Sequence, residues 1–369
     1  MEKVSFKAFM NKVLAGVAMG IVVGLIPNAI LGELFKFLST YHDIFTTLNS
    51  VVVGIQFTVP VIVGVLIAME FKLNPLQTVI VGTASFVGSG AAVFLENRWV
   101  LTGVGDLINT MITASIAVLL ILVIQDKLKS LTIILLPIIA GGTAGFIGIL
   151  ILPYTELLTT GMGQIINSFT NLQPLLMYIL VAVTFSILVV SPISTVAISM
   201  AIGITGLAAG AASVGMVAGT WLLIVGAIRV NNKGVPIAVF LGAMKMLMPN
   251  LLRYPIMMVP LALTAVISAI FASFFNIEVA TEAAGFGLAG MVGPISAVKF
   301  LSFNAIMNFA VILLCYFIVP LVVAIVVNMI CVKVLKLYDP MIFKFLSTDE
   351  EDEEIEVETV PVETVATAK

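Results

Sequence analysis

Val13-Leu-Ala-Gly-Val-Ala-Met-Gly-Ile-Val-Val-Gly-Leu-Ile-Pro-Asn-Ala-Ile30 contains no charged residue. A helix needs about 20 such residues to cross a bilayer core of about 30 Å. Lys3, Lys7 and Lys12 precede the run, as in the charged start of a signal peptide. The apolar stretch Val13–Leu31 is too long for the apolar region of a signal peptide and is followed by no clear cleavage site. It is therefore expected to stay in the chain as a first membrane span.

The rest of the chain repeats this composition. Apolar residues make up 61% and charged residues 10%, against about 45–50% and about 25% in soluble domains. Lipid is the solvent that accommodates such an excess. Long apolar runs predict spans near 13–31, 48–69, 76–95, 107–125, 131–152, 174–190, 195–212, 213–228, 255–275 and 305–332. Two shorter stretches, 236–250 and 279–298, are richer in Gly and Ala. The fold expected is an all-α, polytopic helical membrane bundle of about 10 transmembrane helices, with one or two re-entrant hairpins and an internal repeat. The polar stretch Pro153–Gln173 reads as an external loop carrying a surface helix.

The net charge of −3 hides two regions of opposite sign. Nine of the 20 acidic residues lie between Asp349 and Glu363. The chain before them carries 16 basic and 11 acidic residues, a net +5. Its Lys and Arg cluster at span ends. By the positive-inside rule Lys3, Lys7, Lys12, Lys72, Lys127, Lys129, Arg229, Lys233, Lys333, Lys336 and Lys344 face the cytoplasm, with both termini. Arg98 is the one exception. The predicted division is a transmembrane domain over 1–345 and a disordered acidic cytoplasmic tail over 346–369, too polar to bury a core.

Short motifs recur. Asn74-Pro-Leu-Gln-Thr-Val79 returns as Ser191-Pro-Ile-Ser-Thr-Val196 and as Gly293-Pro-Ile-Ser-Ala-Val298. Ala15-Gly16 with Gly20 returns as Ala140-Gly141 with Gly145. Segments one to four would then repeat as five to eight. A polar residue followed by Pro is also an ordinary helix start. The functional alternative is a broken helix whose free N–H groups face a polar solute in mid-membrane.

Ionisable residues inside apolar segments are functional candidates. Glu282, Lys245 and Lys299 stand out. Glu282 lies in a Gly/Ala-rich stretch that can form a cavity-lining hairpin, where a carboxylate can accept hydroxyl hydrogen bonds. Pairing with Lys245 or Lys299 is the alternative use. The substrate-path candidates are Glu282, Asn231, Asn232, Ser191, Ser194, Asn74, Gln77 and Ser296. Asn28, after Pro27, interrupts or ends span one, and His42 is expected on a surface loop. Cys315 and Cys331 read as buried apolar residues. No catalytic set, metal-ligand pattern or cofactor motif is found, and no basic stripe for nucleic acid.

The first span, Ser191–Val196, Asn231-Asn-Lys-Gly-Val-Pro-Ile-Ala-Val239 and Gly285-Phe-Gly-Leu-Ala-Gly-Met-Val-Gly-Pro294 together resemble EIIC-like membrane permeases of the bacterial phosphotransferase system. The likeness runs over about residues 8–340 and falls in the subgroup that includes the perfringolysin regulator-type proteins. It implies a homodimer in the bacterial cell membrane that moves a sugar while separate IIA and IIB proteins phosphorylate it. Sugar-binding members use a hairpin Glu, which Glu282 matches by context, and often an intramembrane His, which has no counterpart here. A sugar or related small polar solute is the expected cargo. The alternatives are a solute-sensing regulator that signals through the tail, and an ion-coupled transporter with Glu282 as its proton site.

Overall fold

The computed structural model describes residues 5–345, except the side chains of Ile26, Ala29, Ile30, Glu33, Phe37, Gln125, Asp126, Ala197, Ala201 and Glu282. The acidic stretch 346–369 lies outside the described residues.

Helix α1 (Phe6–Leu38) begins an antiparallel pair, and its small residues explain why. Gly16, Gly20 and Gly24 are four residues apart and face Ile67, Val63 and Val59 of α3 (Val59–Glu70). A Cβ at Gly16 would stand 2.6 Å from the Ile67 α carbon, and one at Gly20 2.7 Å from that of Val63. Lipid supplies no hydrophobic drive between helices, so close backbone packing of this kind holds them together. Helix α2 (Ile44–Phe57) meets α3 at a 46° bend.

Helix α4 (Pro75–Gly88) is shorter than the expected span 76–95. The chain then forms a hairpin of β1 (Ala92–Leu95) and β2 (Arg98–Leu101), with Phe94 paired to Trp99. Its turn residues Glu96 and Asn97 both have positive φ, 49° and 62°, the geometry of a two-residue hairpin turn. The apolar strand residues had masked this break. Helix α5 (Leu107–Ile124) follows. Helix α6 (Thr132–Leu136) passes through a wide turn at Pro137–Gly142 into α7 (Thr143–Phe169). The polar stretch expected as a loop is thus largely a continuation of α7, with Pro153 inside it.

Helices α8 (Pro174–Leu188) and α10 (Gly206–Ala227) run parallel. Gly215 lies on the backbone of Ala182, and Gly219 on Ser186, one turn further along both helices. The connection Val189–Thr205 must therefore cross back over the height of the pair. It does so as a broken element, with only α9 (Thr195–Ile202) helical. The expected boundary at 212/213 falls inside α10. The actual break is at Gly203–Gly206, where both glycines have positive φ, 61° and 57°. Nearly every α10 side chain is buried, so it is the hub of this half.

Beyond it come α11 (Gly234–Phe240), a tight turn at Met244–Leu247, and α12 (Met248–Arg253). Helix α13 (Met258–Ser273) then descends beside α8 and α10, with Leu261 level with Ser186 and Ile277 level with Gly210. Next are α14 (Thr281–Ala284), α15 (Val292–Val298), α16 (Ala305–Leu313) and α17 (Val319–Met329). Helices α16 and α17 lie in one apolar stretch, Ala305–Val334.

Among the described residues six helical stretches are long and apolar enough to cross a membrane, or seven with the bent α2–α3 pair. Three shorter apolar helices accompany them. The protein is an all-α membrane protein with one small hairpin. Two apolar cores form, one from residues between Val13 and Ala144 with Met248, the other from Ile166 to Phe343. Leu136, Ala140 and Ala144 join the first core, so segment five packs with the four before it.

Candidate functional site at the junction of two broken segments

The stretch between α13 and α16 enters and leaves at one end of the bundle. Glu278 lies beside Gly206, at the start of α10. Gly285 then reaches the backbone of Thr195 and Val196, and Gly287 reaches Met216, midway along α10. Gly287, Gly290 and Met291 all have positive φ and reverse the chain. On the way back Gly293 passes Ser213, and the Ser296 hydroxyl accepts a hydrogen bond from the Ala280 amide at 3.0 Å, tying the two legs together.

This hairpin meets the broken crossing Val189–Thr205 in mid-bundle. The Thr195 hydroxyl, buried, donates to the Gly285 carbonyl at 2.8 Å. A Cβ on Gly285 would stand 2.5 Å from the Val196 α carbon, so only glycine permits this contact. At the other end of the crossing, the Ser191 hydroxyl donates to Leu188 O and accepts from the Ile193 amide. Lys245 reaches in from the Met244–Leu247 turn. Its Nζ donates to Ser191 O at 2.5 Å and to Ile193 O at 2.8 Å. Among the described residues the partners of Lys245 are these two main-chain carbonyls just past the end of α8, and the side chain of its expected partner Glu282 lies outside the description.

The sequence-derived candidates divide accordingly. Ser191, Ser194 and Ser296 lie on the two broken segments, with Ser194 exposed. The backbone of Glu282 is in α14, on the inward leg of the hairpin, and its side chain lies outside the description. Asn74 and Gln77 lie elsewhere, where they close the start of α4. The Gln77 amide donates to Asn74 Oδ1, and the Asn74 amide donates to Gln77 Oε1. Asn231 uses its side chain on Ala227 O, Phe343 O and the Phe345 amide. Asn232 is an exposed residue of the turn before α11. Asn28 is half-buried inside α1, which continues past it. Lys299 is exposed at the end of α15, and exposed His42 accepts the Ile44 amide through Nδ1. Both cysteines are buried.

A second polar cluster was missed. Asp106, Asn109, Thr110 and Thr113 recur at helical spacing in an otherwise apolar stretch, which was the available signal. Buried Asn109 donates to the carbonyls of Gly88 in α4 and Gly148 in α7, joining three helices. Asp106 caps α5 by accepting the Asn109 amide at 2.6 Å. Burial raises its carboxyl above the usual range, against the lowering effect of the Asn109 amide and the Thr155 hydroxyl. No group of three or more His, Cys, Asp or Glu able to hold a metal occurs among the described residues.

A helical membrane bundle with two discontinuous segments meeting at its middle defines a class, that of membrane proteins with transporter-like interiors. Residues 11–345 match the family described as phosphotransferase system, EIIC, and the chain belongs to that family, whose function is of the permease type. Comparison with curated proteins and with solved structures gave no match.

Proposed function

We propose that this chain is the membrane permease subunit of a phosphoenolpyruvate-dependent sugar phosphotransferase system. It moves a sugar or related small polar solute across a bacterial cell membrane, as a homodimer with cytoplasmic termini. Separate IIA and IIB proteins supply the phosphoryl group. The observation that carries the reading is the meeting of two broken segments at Thr195 and Gly285, within a chain of the EIIC family. Broken segments place main-chain polar groups where a solute can use them, in a region otherwise closed to irregular backbone. Glu282, Ser191, Ser194 and Ser296 are the proposed contacts. Glu282 would accept hydroxyl hydrogen bonds, and the serines would border the path.

Uptake of labelled sugars into vesicles, with phosphoenolpyruvate and the IIA and IIB proteins supplied, tests this. Glu282→Ala should abolish uptake. Unchanged uptake would remove Glu282 from the path. Uptake that ignores phosphoenolpyruvate but collapses with a protonophore would favour ion coupling instead.

A second reading, a membrane regulator that signals through its tail, is favoured by one feature. The segment that leads into the tail is pinned to the membrane core by Asn231 and Asn250. Deleting 346–369 should leave uptake intact in a permease and silence the output of a regulator.

A further inference from the structure

The chain leaves the described residues at a fixed point. Just past α10, Asn231 accepts the Phe345 amide and donates to Phe343 O, while Asn250 in α12 donates to Ile342 O and Lys344 O. Phe343 is fully buried, its ring against Gly226. Residues 346–369 therefore begin beside the end of α10 that carries Asn231.

The surface around this point is cationic. Arg229 and Lys233 are exposed, two residues to either side of Asn231. Lys333 and Lys336 are exposed beyond the end of α17. The chain after Lys336 folds back on the same spot, with the Leu337 amide donating to Cys331 O at 2.9 Å and the Tyr338 ring 5.8 Å from that of Phe343. With Lys344, the stretches 228–234 and 333–345 hold five basic residues against one acidic residue, Asp339. Asp339 accepts the Met341 amide at 2.8 Å, capping its own turn. Cations gathered on one surface set up a field that favours an anion there.

The same chain supplies that anion. Eight acidic residues lie between Asp349 and Glu358. The first is four residues past Phe345 and the last thirteen, about 14 Å and about 45 Å at full extension, so the run can span the patch. A segment tethered this closely meets the patch at an effective concentration on the order of millimolar.

We propose that the basic surface around Asn231 is a docking site for the acidic run 349–358 of the same chain. Arg229, Lys233 and Lys336 form its centre. Each exposed ion pair is weak, so the contact is collective and sensitive to salt. Other anions, such as lipid headgroups or acidic proteins, reach this face only by displacing the run. The inference goes beyond the permease reading and does not depend on it.

The test is zero-length carbodiimide crosslinking, which joins carboxylates to lysine amines in contact, on the purified full chain in neutral phosphatidylcholine nanodiscs. At low salt, links from Glu356 and Glu358 to Lys233 and Lys336 should exceed those to exposed Lys127 and Lys129 by about tenfold or more, the advantage of a held segment over a free one. Two changes separate docking from tethering alone. Salt at about 0.5 M, which shortens the Debye length to a few ångström, should cut these links about fivefold or more. Glu350→Gln, Glu351→Gln, Glu353→Gln and Glu354→Gln together should do the same at an unchanged tether length. Links that resist either change, or that favour no lysine, would overturn the proposal. Links that persist when phosphatidylglycerol is added to the nanodiscs support it. Links lost there would overturn it and assign the patch to lipid headgroups.

Discussion

Asn231→Ala separates two uses of one side chain. Asn231 lies just past the end of α10. Its Nδ2 donates to Ala227 O at 3.1 Å and to Phe343 O at 2.7 Å, and its Oδ1 accepts the Phe345 amide at 2.6 Å. Asn250 in α12 repeats the pattern on the alternate residues, donating to Ile342 O at 2.8 Å and Lys344 O at 2.7 Å. Two amide side chains thus hold the C-terminal segment much as a neighbouring strand would. Between them Phe343 is fully buried, its ring against Gly226. Asn231→Ala removes two hydrogen bonds to that segment. At about 0.5–1.5 kcal/mol each, the loss is about 1–3 kcal/mol, the upper end applying if the freed Phe345 amide finds no water. Thermal unfolding in detergent should show the destabilisation, and hydrogen exchange should accelerate at the Phe345 amide. The double variant with Asn250→Ala should lose less than the sum, because the first change already loosens the shared segment. Solute affinity should not move. An Asn231→Ala protein with unchanged unfolding and exchange but lost solute binding would refute this assignment and restore Asn231 as a solute contact.

Gly20→Ala should destabilise the bundle by about 1–3 kcal/mol, the cost of overpacking, because the new methyl meets the Val63 backbone. Gly54→Ala, with no atom within 4 Å of the added Cβ, is the matched control in the same unfolding assay. Thr195→Val keeps the shape but removes the donor to Gly285 O, and should cost about 1–3 kcal/mol while raising hydrogen exchange in the hairpin. Asp106→Asn keeps an N-cap side chain and removes a desolvated charge. The folded carboxyl binds its proton more tightly than the unfolded one, so its contribution to stability is greatest at low pH and falls as pH rises from about 3.8 through the raised value. The variant should match or exceed the parent in unfolding temperature at pH 7, and the difference should shift towards the parent as pH is lowered.

Membrane embedding and the helical class were legible because both depend on composition summed over many residues. The α1–α3 contact was legible in part, since the spacing of Gly16, Gly20 and Gly24 is a packing signal. Span limits were not. Ala92-Val-Phe-Leu95 continues an apolar run as well as it forms a strand, and only Glu96-Asn97 marks the hairpin. The break before α10 was misplaced because Ala and Gly fill both sides of it, while positive φ at Gly203 and Gly206 depends on tertiary packing. The polar candidates divided for a similar reason. Asn and Gln inside a membrane protein serve either solute or main chain. Asn74, Gln77 and Asn231 serve main-chain atoms that folding brings to them, two of those reached by Asn231 lying more than 110 positions away. Sequence distance conceals that partner.

The two cores give the junction a mechanical context. Both broken segments and the Lys245 turn belong to the C-terminal body. Helix α9 packs on the C-terminal part of α7, within that body, whereas the Met244–Leu247 and Ala289–Met291 turns both pack on α1 of the N-terminal one. The α8, α10 and α13 scaffold is joined by extensive mutual contacts, including the Ser186 hydroxyl bond to Leu261 O. A displacement of one body against the other would therefore act first on the irregular segments, where fewer main-chain groups are tied into regular helix. Rigid helices keep their internal hydrogen bonds through such a shift. Thr195, Gly285 and Lys245 hold their partners across gaps between separate segments of the C-terminal body, and the Met244–Leu247 and Ala289–Met291 turns link those segments to α1. In the proposed permease, alternating access would require the solute contacts to change with the state of the bundle, and the irregular segments of this junction are the part of the fold least tied into regular helix.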